Sequence, residues 1–289
     1  MVSAWEHYHG WVILLYYIAG FMGVILMAHP YLLMLAFLLL IINEWIFISD
    51  KNGRVRSMIK MLLFDLVFSV FIVVINALFN HRGPTLFMSL YGMRITKEAI
   101  SYGIRMALIF LVCIRLFRQL SRVMTDEKIL GIMAGRLPGL ALVFSMLLRL
   151  VPYTRQKAIR LRQINMTDDD RGLRGFRLRT GLYNRLFTMM LEDGIIRSIS
   201  MNDRGYGVGK RRSFYKRRMV FSDFIMLLFI SIFIAACIYI YINDLVYVRY
   251  FPTMRIDGIA WYIYIIWGAF YMIPMLVVGK NSAVMRSRA

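Results

Sequence analysis

The chain has 289 residues, of which 60% are hydrophobic, and it carries a formal net charge of +20. This apolar content excludes an ordinary soluble globular protein and favours a polytopic membrane protein with one large non-membrane insert. The basic balance alone is also typical of nucleic-acid-binding proteins. Basic residues gather in the cytoplasmic loops of membrane proteins, however, so we expect no nucleic acid as a partner.

Six apolar runs are each close to the roughly 20 residues that a helix needs to cross a bilayer. A turn with three cations is predicted at 50–57, between the second and third runs, and the sequence at 96–98 is typical of a helix start. Residues 1–10 lack a basic segment and a small-residue cleavage site, so no removable signal peptide is expected. The six runs cover approximately 11–27, 31–49, 59–79, 99–117, 220–242 and 258–278.

A basic insert separates the fourth run from the fifth. Residues 115–218 contain 23 Lys and Arg against 8 Asp and Glu. If the insert is cytoplasmic, alternation places the 50–57 turn and the basic C-terminal tail on the same side, as the positive-inside bias requires. We therefore predict a multi-pass protein of the cell membrane with both termini cytoplasmic. Its parts are an N-terminal membrane part of four spans (1–118), a cytoplasmic region (119–219), and a C-terminal membrane part of two spans with a basic tail (220–289).

Two long amphipathic helices are predicted inside the insert. The first covers about 137–166, starts at a Leu-Pro pair that suits a first helical turn, and is expected to bend at Pro152. The second covers about 181–204, after a charged connector at 167–180. Their charged residues argue against crossing a membrane. We expect both to lie along its inner face with their apolar sides toward the spans.

The second of these helices ends in an arginine and a glycine. Arg204 in the last turn offsets the negative end of the helix dipole, and Gly205 readily takes the left-handed conformation of a C-cap. An ordinary helix stop also explains this pair. The stretch 198–207 is followed by further cations and then by the fifth apolar run. A charged helix tip at the inner membrane face is therefore well placed to bind a soluble partner.

Several polar residues lie in or beside the apolar runs. Arg115 is expected to extend its guanidinium to the inner membrane surface, and Asp223 is expected to pair with a nearby arginine such as Arg218. Arg105 is expected either near the outer leaflet or facing the interior, and Asn76 needs a hydrogen-bond partner. The tyrosines predicted to form an interfacial aromatic belt are Tyr239, Tyr241, Tyr247 and Tyr250.

Three consecutive aspartates, Asp168, Asp169 and Asp170, are the strongest indication of an enzyme. Magnesium-binding motifs of membrane transferases space carboxylates along a helix, whereas consecutive aspartates point in different directions, which favours a solvated turn. A membrane-embedded, magnesium-dependent transferase is kept as the alternative, and a self-sufficient channel is a third possibility. The sequence has neither a P-loop nor a metal-spaced set of histidines and cysteines, so catalysis by this chain is not expected. Cys113 and Cys237 are expected to be core residues.

Several stretches together resemble the transmembrane T component of energy-coupling factor (ECF) transporters, the CbiQ/EcfT-type membrane subunits of vitamin and metal importers. The more specific stretches are Asn-His-Arg-Gly at 80–83 and Arg-Gly-Tyr-Gly at 204–207, in this order. The similarity extends over nearly the whole chain. The stretches that carry it are 29–30, 76–87, 95–103, 137–152, and 200–207 with Ser213 and Phe214.

The resemblance implies an all-α polytopic membrane protein with about six transmembrane helices and two long amphipathic cytoplasmic coupling helices. In that family each coupling helix ends in an X-Arg-X triplet whose arginine enters a groove on an ATPase subunit. Asp203, Arg204 and Gly205 match the second triplet, with aspartate in place of the usual alanine. No arginine stands near 165–166, where the first triplet is expected, so its role is assigned to Arg162, with Arg160 the next cation.

The resemblance also implies the function of a non-catalytic coupling subunit in a vitamin or micronutrient importer. The implied partners are two ABC-type ATPase subunits, a small membrane substrate-binding subunit and the lipid bilayer. ATP and magnesium are expected on the ATPases, and no cofactor is expected in this chain. Asn80, His81, Arg82 and Gly83 are expected either to form an outer turn or to contact another subunit. The transported substrate is set by the other membrane subunit.

Overall fold

The computed structural model describes residues 5, 8–47, 51–80, 85–90, 93–165, 173–206, 208, 219–246, 248–250, 255–256 and 258–286. The chain forms two compact units. The first unit combines Met1–Thr125 with Arg218–Ala289, and the second unit is Asp126–Arg217. The second unit lies inside the predicted insert at 119–219.

The described part of the chain is helical except for two short antiparallel hairpins. In the first hairpin Leu90 pairs with Met93, and in the second Arg249 pairs with Arg255. The elements in chain order are α1 (Gly10–Leu26), α2 (Pro30–Phe47), α3 (Lys51–Phe79), β1 (Leu86–Leu90), β2 (Met93–Thr96), α4 (Lys97–Val123), α5 (Asp126–Arg136), α6 (Pro138–Asn165), α7 (Leu173–Asp203), α8 (Phe221–Ile242), β3 (Val248–Arg249), β4 (Arg255–Ile256) and α9 (Trp261–Arg286).

All six predicted runs are helical, but they differ in length. Within the described residues, three helices are long and apolar enough to cross a membrane: Met58–Phe79 in α3, the whole of α4, and α8. These three helices indicate a membrane protein. The apolar parts of α1, α2 and α9 are shorter, at 10–17 residues each.

Two predicted loops are partly helical in the structure. The helix α3 begins at Lys51, so the turn predicted at 50–57 is helical from residue 51 onward. The helix α7 begins at Leu173, which shortens the connector predicted at 167–180. In both cases the prediction treats a charged segment that contains glycine as a loop. Lys and Arg are nevertheless good helix formers, and a single glycine costs a helix only about 1 kcal/mol.

The core of the first unit is aromatic, and its polar ring atoms bond to backbone carbonyls. The rings of Phe233 and Phe270 stack with their centroids 3.7 Å apart. The indole N–H of Trp267 donates to the carbonyl oxygen of Leu32 at 2.9 Å. The hydroxyl of Tyr16 donates to the carbonyl oxygen of Phe270 at 3.0 Å. A buried polar group left without a partner is costly, so these bonds fix the rotation of α1, α2 and α9 against one another.

Two helix starts in the first unit are capped by side chains. The hydroxyl of Thr96 accepts the N–H of Ala99 at 3.3 Å, which confirms the predicted start of α4. The carboxylate of Asp223 accepts the N–H groups of Val220 and His9, both at 3.0 Å. The expected pairing of Asp223 with an arginine such as Arg218 stays a prediction, because residue 218 lies outside the described residues.

The second unit contains the two long helices predicted from the sequence. The helix α6 covers Pro138–Asn165, within one residue of the predicted bounds at each end, and it continues through Pro152 without interruption. It packs against both α5 and α7. The described side chains of α6 and α7 are mostly exposed, including many large apolar ones.

Candidate functional site

The helix tip (203–205) closes α7 with a defined hydrogen-bond pattern. Gly205 has a φ of 76°, and its N–H donates to the carbonyl oxygen of Asn202 at 2.9 Å. The N–H of Tyr206 donates to the carbonyl oxygen of Met201 at 3.1 Å. These two bonds form a Schellman motif, in which a residue in the left-handed conformation ends the helix. The predicted glycine C-cap is confirmed.

The cation of the helix tip faces solvent. Asp203, Arg204 and Gly205 are all exposed, and Arg204 makes no ion pair with any residue that the structure describes. Two side chains on the preceding turns, Ile196 and Ile199, are more than half exposed. Arginine carries a planar fork of donors that can meet a carboxylate or carbonyls together. A rigid helix end that combines this fork with apolar surface has the chemistry of a protein-binding site.

The other two predicted coupling cations lie on α6. Arg160 is exposed, and Arg162 is helical in its backbone, while its side chain is outside the described residues. Both precede Asn165, the last residue of α6, so they belong to its final turns. The structure thus places one predicted arginine at a helix tip and two within the end of the neighbouring helix.

A surface ion pair ties α6 to α7. The ammonium group of Lys157 lies 2.5 Å from the carboxylate of Asp193, and it also lies over the ring of Tyr153 at 4.7 Å. The guanidinium of Arg197 lies over the same ring at 5.3 Å. The hydrogen bond to Asp193 raises the pKa of the Lys157 amine above its ordinary value. Because these side chains are partly exposed, the tie orients the two helices more than it stabilises them.

Replacing Asp193 with asparagine is expected to loosen the pairing of α6 and α7 near Lys157. Amide hydrogen exchange in α7 around residue 193 should become faster, while exchange elsewhere in the unit stays the same. The pKa of Lys157 is raised in the folded chain. The ion pair with Asp193 is therefore fully formed below the pKa of the amine in the unfolded chain, and it is lost as pH rises through the pKa in the folded chain. The effect of Asp193→Asn should therefore be present at neutral pH. Glu192→Gln, on an exposed neighbour, is the control, and equal exchange in both variants would contradict the tie.

A buried charge cluster, formed by Glu44, Asp65 and Arg115, joins three helices of the first unit. One terminal nitrogen of Arg115 in α4 donates to Glu44 of α2, and the other donates to Asp65 of α3. The three side chains are at most 3% exposed. Nearby on α4, the amide of Gln119 donates to the carbonyl oxygen of Leu40 at 3.3 Å. The helices α2, α3 and α4 are therefore linked at one level.

The charge balance of the cluster depends on Arg115. Among the described residues, Arg115 donates the hydrogen bond that each of the two carboxylates accepts, and the second oxygen of each has no hydrogen-bond partner. The guanidinium of Arg118, which is 23% exposed, forms a second ion pair with Glu44 at 3.6 Å, without a hydrogen bond. Removal of one partner from a buried ion pair is strongly destabilising, by about 3–5 kcal/mol, because the other charge stays buried.

The buried charge cluster corrects one sequence expectation and adds residues that the sequence reasoning missed. Arg115 was expected to reach the membrane surface, but it is 1% exposed and bound between two helices. Glu44 and Asp65 were not singled out. Their signal is present in the sequence, since each is an isolated carboxylate inside an apolar run, and such residues usually pair with one another or mark function.

A second cation of α4 lies against an aromatic ring. The guanidinium of Arg105 lies over the ring of Tyr250 at 5.3 Å, and Tyr250 is 4% exposed. The two expectations for Arg105, the outer leaflet or the interior, stay predictions, and its side chain is partly buried. Tyr250 is buried and does not belong to an exposed belt, whereas Tyr239 and Tyr241 are more than half exposed. Tyr247 lies outside the described residues.

The Asn-His-Arg-Gly segment is described only at its first residue. The N–H of Asn80 donates to the carbonyl oxygen of Asn76 at 2.9 Å, directly after the end of α3. The remaining residues of the segment, His81, Arg82 and Gly83, lie outside the described residues.

The described residues give no indication of a metal site. The aspartates 168–170 lie outside the described residues, and the described part of the chain contains no group of three or more His, Cys, Asp and Glu side chains that could hold a metal ion. Cys113 and Cys237 are free thiols in apolar helices.

Comparison with known proteins adds no family assignment. A scan against models of protein families finds no match, and a search of curated proteins finds no relative.

Proposed function

We propose that this chain is the transmembrane coupling subunit of an ECF-type importer for a vitamin or another micronutrient. In this proposal six helices span the cell membrane with both termini in the cytoplasm, and α6 and α7 are the coupling helices. The chain itself is not catalytic. It binds two ABC-type ATPases, which carry ATP and magnesium, and a small membrane subunit that binds the substrate.

The observation that carries the proposal is the exposed Arg204 at the capped end of α7. The turns that precede Arg204 also expose apolar side chains, Ile196 and Ile199, which suits a surface that a protein partner covers. The hydrogen bonds of the Gly205 cap fix the direction in which the helix ends. Pre-organisation of this kind lowers the entropy lost when a partner binds.

The proposed mechanism is mechanical. ATP binding and hydrolysis move the two ATPases, and the helix tip at Arg204 follows the ATPase that it contacts. Arg162, at the end of α6, serves the other ATPase. The spans then reorient the substrate-binding subunit. Arginine suits a contact that must bear load because it can form two parallel hydrogen bonds with one carboxylate.

A photo-reactive amino acid placed at Asn202 tests the proposed contact in native membranes. Asn202 is exposed and precedes the helix tip, so its cross-links should contain an ABC-type ATPase, identified by mass spectrometry. The same amino acid at Leu245, an exposed position of the first unit, is the control and should not cross-link to that ATPase. Cross-links at Asn202 to lipid alone, or to the same proteins as at Leu245, would contradict the proposal.

A further inference from the structure

The first unit is connected to the second through α4. This helix ends at Val123, and the second unit begins at Asp126. Arg115 and Gln119 therefore lie within the last turns of α4 before the chain enters the second unit. Any force that the second unit transmits along the chain in this direction reaches the end of α4 first.

Few side chains of α3 are fully buried where it packs against α4, and partly buried ones such as Phe68, whose ring centroid lies 6.4 Å from that of Phe110, also contribute to this contact. Between Met58 and Ala77 the only buried side chain of α3 is that of Asp65. Closer to the C-terminal end of α3, the backbone of Val73 approaches Gly103 so closely that a Cβ on this glycine would lie 3.2 Å from the Val73 Cα. Close backbone packing at Gly103 and the ion pair at Asp65, in the middle of α3, are thus two separate contacts between these helices.

We propose that the buried charge cluster is the joint that makes α2 and α3 follow a movement of the end of α4. Arg115 holds one carboxylate on each neighbouring helix, and charged hydrogen bonds in a low-dielectric interior are strong and directional. Without the bond to Asp65, the contact of α4 with α3 near Arg115 loosens, while the close packing at Gly103 stays. Glu44, Asp65 and Arg115 are positioning residues, and their role in transport rests on the proposed function.

Distance measurements between spin labels test the joint on the purified chain in lipid nanodiscs. With Cys113 and Cys237 replaced by alanine, one label pair is placed at the exposed positions Leu66 and Phe117, near the cluster. A reference pair is placed at Val74 and Ile104, near Gly103; both positions are 47% exposed. In Asp65→Asn the distance distribution of the first pair should broaden, whereas that of the reference pair should not change.

Two further variants make the result decisive. Lys60→Gln changes an exposed charge on the same helix and should leave both distributions as in the wild type. If Asp65→Asn does not fold, Glu44→Gln tests the joint with labels at Ile42 and Phe117, where broadening is again expected. An unchanged first pair in Asp65→Asn, or an unchanged pair in the Glu44→Gln test, would overturn the proposal.

The transport role of the joint is measured in the assembled complex. In Asp65→Asn the ATPases should still bind, and substrate transported per ATP hydrolysed should fall about tenfold or more, the factor that one charged hydrogen bond represents. If Asp65→Asn transported as much substrate per ATP as the wild type, the proposal that the cluster acts as a joint would be overturned. If the chain binds no ATPases at all, the proposed function fails, and the spin-label result still decides whether the cluster joins the helices.

Discussion

Replacing Arg115 with methionine is expected to lower the free energy of unfolding of the chain by about 3–5 kcal/mol. The variant leaves Glu44 and Asp65 buried without the guanidinium that donates to both. Methionine fills a similar volume, so the loss comes not from a cavity but from Asp65, which loses its cation, and from Glu44, which keeps only the longer ion pair with Arg118. The measurement is an unfolding titration of the purified chain in detergent, monitored by tryptophan fluorescence.

Two variants separate the charge effect from general damage to the core. Arg118→Met should cost much less, because Arg118 is partly exposed and makes no hydrogen bond to Glu44. The triple variant Glu44→Met, Asp65→Leu, Arg115→Met removes all three charges and should recover most of the lost stability, since apolar replacement of a whole buried ion pair is often neutral or stabilising. If Arg115→Met were as stable as the wild type, the cluster would not hold these helices together.

Replacing Arg204 with glutamate is expected to abolish binding of the proposed ATPase partner while the chain stays folded. Loss of a charge-paired interface residue costs about 2–5 kcal/mol, which raises the dissociation constant roughly 30- to 5000-fold. For the isolated chain the same change replaces a favourable dipole interaction of about 0.3–1 kcal/mol by an unfavourable one of similar size. The C-cap itself is kept, because Gly205 and its backbone hydrogen bonds are unchanged.

Affinity and stability are therefore measured on the same preparations. Arg185→Glu makes an equal change of charge at another exposed position of α7 and should keep wild-type affinity. Arg204→Lys keeps the charge but loses the planar fork of donors, so an intermediate affinity is expected. Equal affinities of Arg204→Glu and Arg185→Glu would mean that only net charge matters and that Arg204 is not an anchor.

Features that depend on a few neighbouring residues could be predicted from the sequence. The capped start of α4 at Thr96 and the left-handed end of α7 at Gly205 are local, because each hydrogen bond joins residues at most five positions apart. The bounds of α6 were also predicted to within one residue, because Pro138 suits the first turn of a helix. The predicted role of Arg204 stays a prediction, because a local pattern does not identify the surface that a helix tip meets.

The buried charge cluster could not be assembled from the sequence. Arg115 and Glu44 are 71 positions apart, and Arg115 and Asp65 are 50 apart, so their pairing depends on how three helices pack. Charge alone also misplaced Arg115, because a long cationic side chain near the end of a span fits both a surface position and a buried pair. The two isolated carboxylates were the available signal, and they become informative only when considered together with the arginine.

The number of membrane-spanning helices depends on more than the hydropathy of the sequence. Hydropathy locates six apolar segments, and all six are helical, but α1 has only 17 residues and is short against a hydrocarbon core of about 30 Å. Whether a short apolar helix spans depends on tilt and on local bilayer thickness as well as on its sequence. Six spans therefore remain part of the proposal, while three helices satisfy both length and apolarity in the described residues.

Co-purification of the tagged chain from its native membrane at moderate salt, followed by mass spectrometry, tests whether the chain assembles with ATPases and a substrate-binding subunit. We predict recovery of two P-loop ATPases and one small hydrophobic subunit, with the ATPases lost from the Arg204→Glu variant and kept in Arg185→Glu. The identity of the small subunit would then indicate the substrate. A chain that purifies alone and shows magnesium-dependent turnover of a lipid-linked substrate would contradict the coupling function and favour the transferase.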